Sequence, residues 1–376
     1  MHILVVNAGS SSLKLSILDD SDRPLTAETI ASPVGRLDDS ALRAAVTGHG
    51  SIDAVGHRIV HGGERFTAAC LIDPTVTEEL RLLSELAPLH QPPALAALEL
   101  VRAAPPQLPA VACFDTAFHA TLSPAARTYA LPEAWRERWP LRRFGFHGLS
   151  HAWVARRAIE LVGAAASARI VSCHLGAGAS LCAIADGRSV DTTMGFTPLE
   201  GLVMATRSGS VDPGLVLWLA DRLPRSEIAN GLEREGGMLG LAGSSDMREV
   251  LAAAQHGDQR ATLALDVYSH RLRAAIAAMA AALGGLDVLA FTGGVGENAP
   301  AIRAKVAAGL DFLGVALDAG TNERAREDAN VSASNAVVQT VVISAREDLE
   351  IARQTRATVP SRSERTSSKC SRPTSL

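Results

Sequence analysis

The chain has 376 residues, 47% of them hydrophobic and 20% charged, with a formal net charge of −4; this is an ordinary globular composition with room for two domains, and it gives no reason to expect nucleic acid or an acidic membrane as a partner. The five cysteines (70, 113, 173, 182 and 370) show no metal spacing, no CxxC and no even framework, which points to reduced thiols in a cytoplasmic setting. The longest apolar stretch, Ala274 to Leu283, is an alanine-rich helix interrupted soon after by Gly284 and Gly285, so no membrane span is expected.

The first element is the apolar run Ile3-Leu4-Val5-Val6, which is too short for a signal peptide and has no basic segment before it. "NAGSSSLKLSIL" (7–18) follows. Leu13, Leu15 and Ile17 alternate there with Lys14 and Ser16, the period of a strand. The small polar loop therefore joins two strands, and it is neither GxxxxGK[ST] nor GxGxxG. If it grips phosphate, it does so as a hairpin, through backbone N–H and hydroxyl groups. Strands are expected at Ala54 to Val60 and Ala110 to Cys113, and helices at 76–87, 93–103 and 149–162. "RIVSCHLGAGASLCAIADGRSVDTT" (169–193) then repeats the opening plan: an apolar strand, a loop of small residues at 176–179, and an alternating strand. Two such units suggest a duplicated α/β fold with two phosphate-facing hairpins. "VLAFTGGVGENAPAIRAKV" (288–306) reads as a buried strand, a Gly-rich turn and a helix. The tail, 360–376, lacks apolar periodicity and is expected to be disordered.

Polar residues gather in loops. Arg58 and His61 lie in "GHRIVHGGERF", His90 in "PLHQP", Asp115 and His119 in "CFDTAFH", and His147 in "RRFGFHGLSH". Arg207 lies in "DTTMGFTPLEGLVMATRSGSVDPG", and Glu347 follows a strand at a helix start. Each has an ordinary reading alone. His61 would be a hydrogen-bonded structural residue, the glycines would serve tight turns, and Glu347 with Asp348 would favour a helix N-terminus. In combination, two phosphate-type hairpins, loop arginines and strand-end acids suggest phosphoryl transfer. That chemistry needs mainly positioning, a metal ion and positive charge around the moving group.

The motifs "NAGSSSLK", "GHRIVHGGE", "FDTAFH", "GFHG", "DTTMGFTPLEGL", "TRSG", "SSDMR" and "FTGGVGENA" occur in an order that resembles the acetate kinase family, within the acetate and sugar kinase, Hsp70 and actin superfamily. The resemblance runs from Met1 to about Val359. It implies two duplicated actin-like (ribonuclease H-like) α/β domains with a central cleft. The first would be residues 1–117, completed by a C-terminal helix at 347–359; the second, 118–346, would carry the nucleotide site and a dimer surface. It also implies a cytoplasmic homodimer that moves the ATP γ-phosphoryl group reversibly to acetate, giving acetyl phosphate and ADP, with Mg2+ or Mn2+.

A carboxylate acceptor is already ionised at neutral pH and needs no general base, so the difficulty is bringing an anion onto a polyanion. By the resemblance, Arg58 and Arg207 would neutralise that charge, His147 would hydrogen-bond the transferring group, and Asp115 would orient metal or substrate. Asn7 and Glu347 match positions near the metal. Lys14, His174, Leu175, Gly176, Ala177 and Gly178 match the phosphate side, and His90 a further cleft position. Asp246, Met247 and Arg248 match residues around adenosine, and Gly294, Val295, Gly296, Glu297 and Asn298 match the nucleotide loop. The methyl pocket, beside Arg58, corresponds to Val60, Leu89, Phe146 and Pro198, a set that should accept acetate, tolerate propionate and disfavour butyrate. The sequence departs from the family at Ala177, where an Asn amide is usual, at Gln91 in place of Asn, and at Leu149 in place of Thr. A propionate or butyrate kinase, a pyrophosphate-using kinase of the same fold and a nucleotide-binding module without acyl transfer are the alternatives. The last has no need of a carboxylate-facing arginine pair.

Overall fold

The computed structural model describes residues 1–8, 12–31, 52–86, 91–103 and 108–360. The chain forms two compact units, Met1–Ala117 with the segment from Glu347 onward, and Phe118–Arg346. The expectations for Leu89, His90 and the last sixteen residues lie outside the described residues.

The sheet of the first unit contains β1 (Ile3–Ala8), β2 (Ser12–Leu18), β3 (Pro24–Ala31), β4 (Ala54–Ile59), β5 (Cys70–Leu71) and β6 (Ala110–Phe114), in the order β3-β2-β1-β4-β6-β5. Ile3 to Val6 are almost wholly buried because β1 is central and covered on both faces, which is why it reads as a continuous apolar run. On one face Leu4, Val6, Ile59 and Phe114 pack with Leu98 of the Gln91–Ala103 helix. The Glu347–Thr358 helix packs on β1, β4 and β6. It approaches so closely that a Cβ at Gly56 would overlap Thr355, which fixes glycine there. β1 and β2 form the expected antiparallel hairpin, with Asn7 opposite Lys14 and Ala8 opposite Leu13. The parallel pairs β1–β4 and β4–β6 then set Arg58 and Asp115 at neighbouring strand ends.

The second unit holds β7 (Ile170–Leu175), β8 (Ala179–Ala185), β9 (Arg188–Thr192), β10 (Val288–Thr292), β11 (Ala329–Asn330) and β12 (Gln339–Val342), in the order β11-β12-β10-β7-β8-β9. Taken from its other edge, this sheet repeats the first strand for strand, down to the antiparallel short edge strand. Val154, Ala155 and Ala158 of the Gly148–Val162 helix pack with Ile170 and Ala290 on one face. The Gln259–Leu283 helix packs on β7, β8 and β9. Its ends are chemically marked: Asp258 accepts from Ala261 N at 2.9 Å, and Gly284 closes it at φ 68°.

The three expected helices are present as Pro74–Leu82 with a 3-10 turn at Leu83–Glu85, Gln91–Ala103 and Gly148–Val162. One expectation is corrected. The glycine-rich segment after β10 is a short helix, Gly293–Asn298, not a turn. Gly293 adopts φ 77°, and a Cβ on it would lie 2.8 Å from the carbonyl oxygen of Leu175. Only glycine can start the helix there, and Glu297 secures that start by accepting from Gly293 N at 2.9 Å.

Candidate active site

Each unit gathers one cluster of the expected residues. In the first, the end of β4 carries Arg58 and the end of β6 leads into Asp115. Arg58 Nη2 donates to Asp115 Oδ2 at 2.6 Å, and Arg58 Nη1 donates to Asn7 Oδ1 at 3.1 Å. Asn7 Nδ2 donates to Glu347 Oε2 at 2.8 Å, and Glu347 lies 3.6 Å from Arg58 Nη1. Burial opposes the charge on Arg58, but Asp115 and Glu347 outweigh it and raise its pKa above the ordinary value. Burial likewise pushes the Asp115 carboxyl up, against the pull of Arg58. Lys14 is exposed on β2 opposite Asn7, and Val60 is buried just past β4. The adjoining loop is clasped at its backbone: buried Gln91 accepts from His61 N at 3.2 Å and donates to His61 O at 3.1 Å. His61 is thus a structural residue in this fold, and burial lowers its pKa to about 4.

In the second unit the β7–β8 hairpin loop, residues 176–178, is the counterpart of the loop after β1. A Cβ at Gly178 would lie 3.4 Å from His147 Nε2 and 3.6 Å from Arg207 Nη1, so His147 and Arg207 flank the same small loop. His147 caps its helix at φ 57°, left-handed backbone that a non-glycine residue seldom adopts outside special sites. Its ring stacks on His174 with centroids 4.3 Å apart, and His174 Nδ1 lies 2.8 Å from Ser150 Oγ. His119 supports this geometry from behind. Its Nε2 lies 2.9 Å from the carbonyl oxygen of buried Phe146, which can only accept, so Nε2 carries the proton.

Arg207 Nη1 donates to Pro198 O at 2.9 Å and lies 3.5 Å from Met204 Sδ. Burial lowers its pKa, and among the described residues it has no carboxylate in salt-bridge contact. A partly buried cation without a salt bridge is suited to an anionic ligand. The loop's own shape comes from Arg143, which donates to the carbonyls of Thr192, Thr193 and Met194 at 3.1 Å each and pairs with Glu200 at 2.7 Å. Ala205 N donates to Ala177 O at 3.1 Å, tying the Arg207 loop to the hairpin.

The acetokinase family model matches residues 27–353. The chain belongs to the acetokinase family. The acetate kinase of Acetivibrio thermocellus is 42% identical, over 94% of this chain and 98% of that protein. The acetate kinase of Leifsonia xyli subsp. xyli is 44% identical, over 94% and 97%. Among solved structures, Porphyromonas gingivalis acetate kinase superposes with a TM-score of 0.86 at 36% identity, covering 95% of this chain and 99% of that one. A propionate kinase from Francisella tularensis superposes at 0.87 with 33% identity, covering 95% and 100%. The duplicated sheets of this acetokinase are accordingly actin-like.

The positions that the sequence leads us to expect on the nucleotide side have local structural contacts. Asp246 caps the Met247–Gln255 helix, accepting from Arg248 N at 2.9 Å and pairing with the exposed Arg248 side chain, while Met247 is buried. Leu175 is core, and Gly296 is buried against Phe291 and Cys173, so both face the sheet. Glu297 accepts from Gly293 N and from Ala345 N at 3.0 Å, joining the segments after β10 and β12. Gly294 and Asn298 are exposed, and Val295 is partly so.

Among the described residues no group of three or more His, Cys, Asp or Glu side chains is arranged to hold a metal. The donors that are present, Glu347, Asp115 and the Asn7 amide oxygen, are hard oxygens. Those oxygens would suit Mg2+ and would not suit a metal that prefers imidazole or thiolate. Sequence reasoning missed Ser150, His151 and Ser180. The available signal was the four-residue spacing of His147 and His151 on one helix face, and Ser180 as an inward polar residue of an alternating strand.

Proposed function

We propose that this acetokinase transfers the γ-phosphoryl group of ATP to acetate, reversibly and with Mg2+, giving acetyl phosphate and ADP. An acetate oxygen forms the new bond to phosphorus as the bond to the ADP oxygen breaks, and no net proton moves. The observation that carries the reading is the setting of Arg207: a partly buried guanidinium that feels Glu233 but makes no salt bridge among the described residues, beside His147 and a glycine loop. Arg207 and His147 would hold the transferring group, Arg58 would receive the acetate carboxylate, and Asp115 would keep Arg58 oriented. Asn7 and Glu347, with Asp115 beside them, would hold Mg2+, which when bound neutralises phosphate charge. Lys14 and residues 174–178 would face phosphates, and residues 246–248 and 294–298 the nucleotide. Val60, Leu89, Phe146 and Pro198 would surround the acetate methyl group.

Incubating the protein with acetate, MgATP and hydroxylamine tests this directly. Acetyl hydroxamate should accumulate; none above a no-enzyme control, from folded protein, would overturn the reading. The likeness to a propionate kinase keeps propionate as a second acceptor, and kcat/KM for the two acids decides between them.

The Pro213–Ala220 helix, PGLVLWLA, buries none of its residues and exposes Leu217 at 70% and Trp218 at 53%. A helix apolar all round calls for a cover, and we assign it to a homodimer contact. Light scattering should give twice the chain mass for the wild type and the chain mass for Leu217→Asp; an unchanged mass in the variant would count against the assignment. Cys70, Cys113, Cys173 and Cys182 are free thiols, and no described helix is long and apolar enough to cross a membrane; a cytoplasmic setting fits both.

A further inference from the structure

Behind His147 runs a chain of hydroxyl and imidazole groups with no direct part in the chemistry above. His147 Nδ1 lies 2.9 Å from Ser180 Oγ. The same oxygen lies 2.9 Å from His151 Nε2, and His151 Nδ1 lies 2.9 Å from Ser172 Oγ. Ser172, His151 and Ser180 are all 0% exposed. The two serines come from the paired strands β7 and β8, and His151 reaches both from the first turn of the helix that His147 caps.

Two proton arrangements satisfy Ser180. In one, Ser172 donates to His151 Nδ1, His151 Nε2 donates to Ser180, and Ser180 donates to His147 Nδ1. In the other, every bond is reversed. Among the described residues, His151 Nδ1 is the one hydrogen-bond partner of Ser172 Oγ. Reversal would therefore leave a buried hydroxyl hydrogen with no acceptor. That is costlier than an oxygen with a spare lone pair, which is all the first arrangement leaves. Burial holds the His151 pKa well below its ordinary value, so His151 is neutral, as either arrangement requires.

We infer that Ser172, His151 and Ser180 form a one-way series of donors that fixes His147 as the tautomer bearing hydrogen on Nε2, with Ser180 as the positioning residue. Nε2 lies on the ring edge that faces the Gly178 loop, where Nε2 and Cε1 would both stand 3.4 Å from a Cβ on Gly178. With hydrogen on Nε2, a neutral imidazole donates to a phosphoryl oxygen; with the opposite tautomer it would present a lone pair to an anion. The consequence for turnover rests on the proposed contact of His147 with the transferring group.

The test uses the full chain labelled with 15N-histidine, with His147→Gln marking the His147 resonances in long-range 1H–15N spectra at about pH 7.5. The wild type should show His147 protonated at Nε2 and bare at Nδ1; the reverse would overturn the inference. Ser180→Ala should lower kcat roughly tenfold with both KM values within about twofold, and Ser180→Thr, which keeps the hydroxyl, should recover most of it. Wild-type kcat in Ser180→Ala, with His147→Gln impaired, would overturn the inference alone. Wild-type kcat in both would overturn the role given to His147. If Ser180→Ala does not fold, the wild-type spectrum still decides.

Discussion

Arg58 and Asp115 form a two-point ion pair, with Nη2 at 2.6 Å from Oδ2 and Nε at 3.1 and 3.2 Å from the two carboxylate oxygens. The planar fork leaves Arg58 one orientation, and Asn7 and Glu347 hold its Nη1. Arg58→Ala should lower kcat about a hundred- to a thousandfold, as loss of a transition-state charge contact does. It should also lower stability by about 3–5 kcal/mol, because Asp115 is left as a buried charge without its partner. Arg58→Lys should recover part of the stability and little of the rate, since an ammonium makes no planar fork. Near wild-type kcat in the alanine variant would show the site misplaced.

Arg207 is predicted to behave differently on one axis. Its described partners are a carbonyl oxygen and a thioether, so Arg207→Ala strands no carboxylate. Activity should fall as far as in Arg58→Ala, while the urea midpoint stays within about 1 kcal/mol of the wild type. A loss of several kcal/mol would mean that Arg207 is chiefly a structural cation.

The hairpins were legible in the sequence because alternation at Leu13, Leu15 and Ile17 leaves no other period. The joining of Asn7 to Glu347, 340 residues apart, was not legible from periodicity at all; only the family motifs placed them together. Glycine content argued for a turn at 293–298, and the helix there depends on a long-range fact, Glu297 bonding both Gly293 and Ala345. Gln91 stood out as a departure from its family, yet its longer amide clasps the His61 backbone on both sides. Ser180 looked like an ordinary polar residue of a strand, since a hydroxyl's partners across a sheet and helix leave no local mark.

Val60→Ala tests the proposed methyl pocket. Val60 is 5% exposed, so trimming it opens space that acetate does not need and propionate can fill. Hydrophobic transfer is worth about 0.8 kcal/mol per methylene, so the propionate-to-acetate ratio of kcat/KM should rise roughly three- to tenfold, mainly through KM. An unchanged ratio in a folded, active variant would remove Val60 from the pocket.

His119 predicts a pH dependence of stability. Its pKa falls to about 4 through burial, and its ring is locked to Phe146 O and Ser189 Oγ as a neutral group. The unfolded chain takes up a proton near pH 6.5 and the folded chain does not, so stability is full above that pH and is lost as pH falls toward 4. The expected loss from this group is about 3 kcal/mol across the window. Urea midpoints should drop steeply below about pH 6.5, and less so in His119→Gln. A flat profile in the wild type would contradict a buried neutral His119.

Gly178→Ala examines the space on which the functional reading depends. Gly178 lies outside the left-handed backbone region, so alanine can adopt its conformation without strain. The added methyl would sit 3.4 Å from His147 Cε1 and Nε2 and 3.6 Å from Arg207 Nη1, ordinary van der Waals separations that require no movement of the protein. The variant should therefore fold with a midpoint within about 0.5 kcal/mol of the wild type. The same methyl would occupy the volume that a phosphoryl oxygen needs if it is to lie roughly 2.7–3.1 Å from donors on both His147 and Arg207. kcat/KM should fall at least about tenfold, with kcat falling more than the KM for acetate rises, because the lost contacts belong to the transferring group. A folded Gly178→Ala protein with wild-type kcat/KM would show that the phosphoryl group does not pass beside this loop, and both His147 and Arg207 would then need other roles.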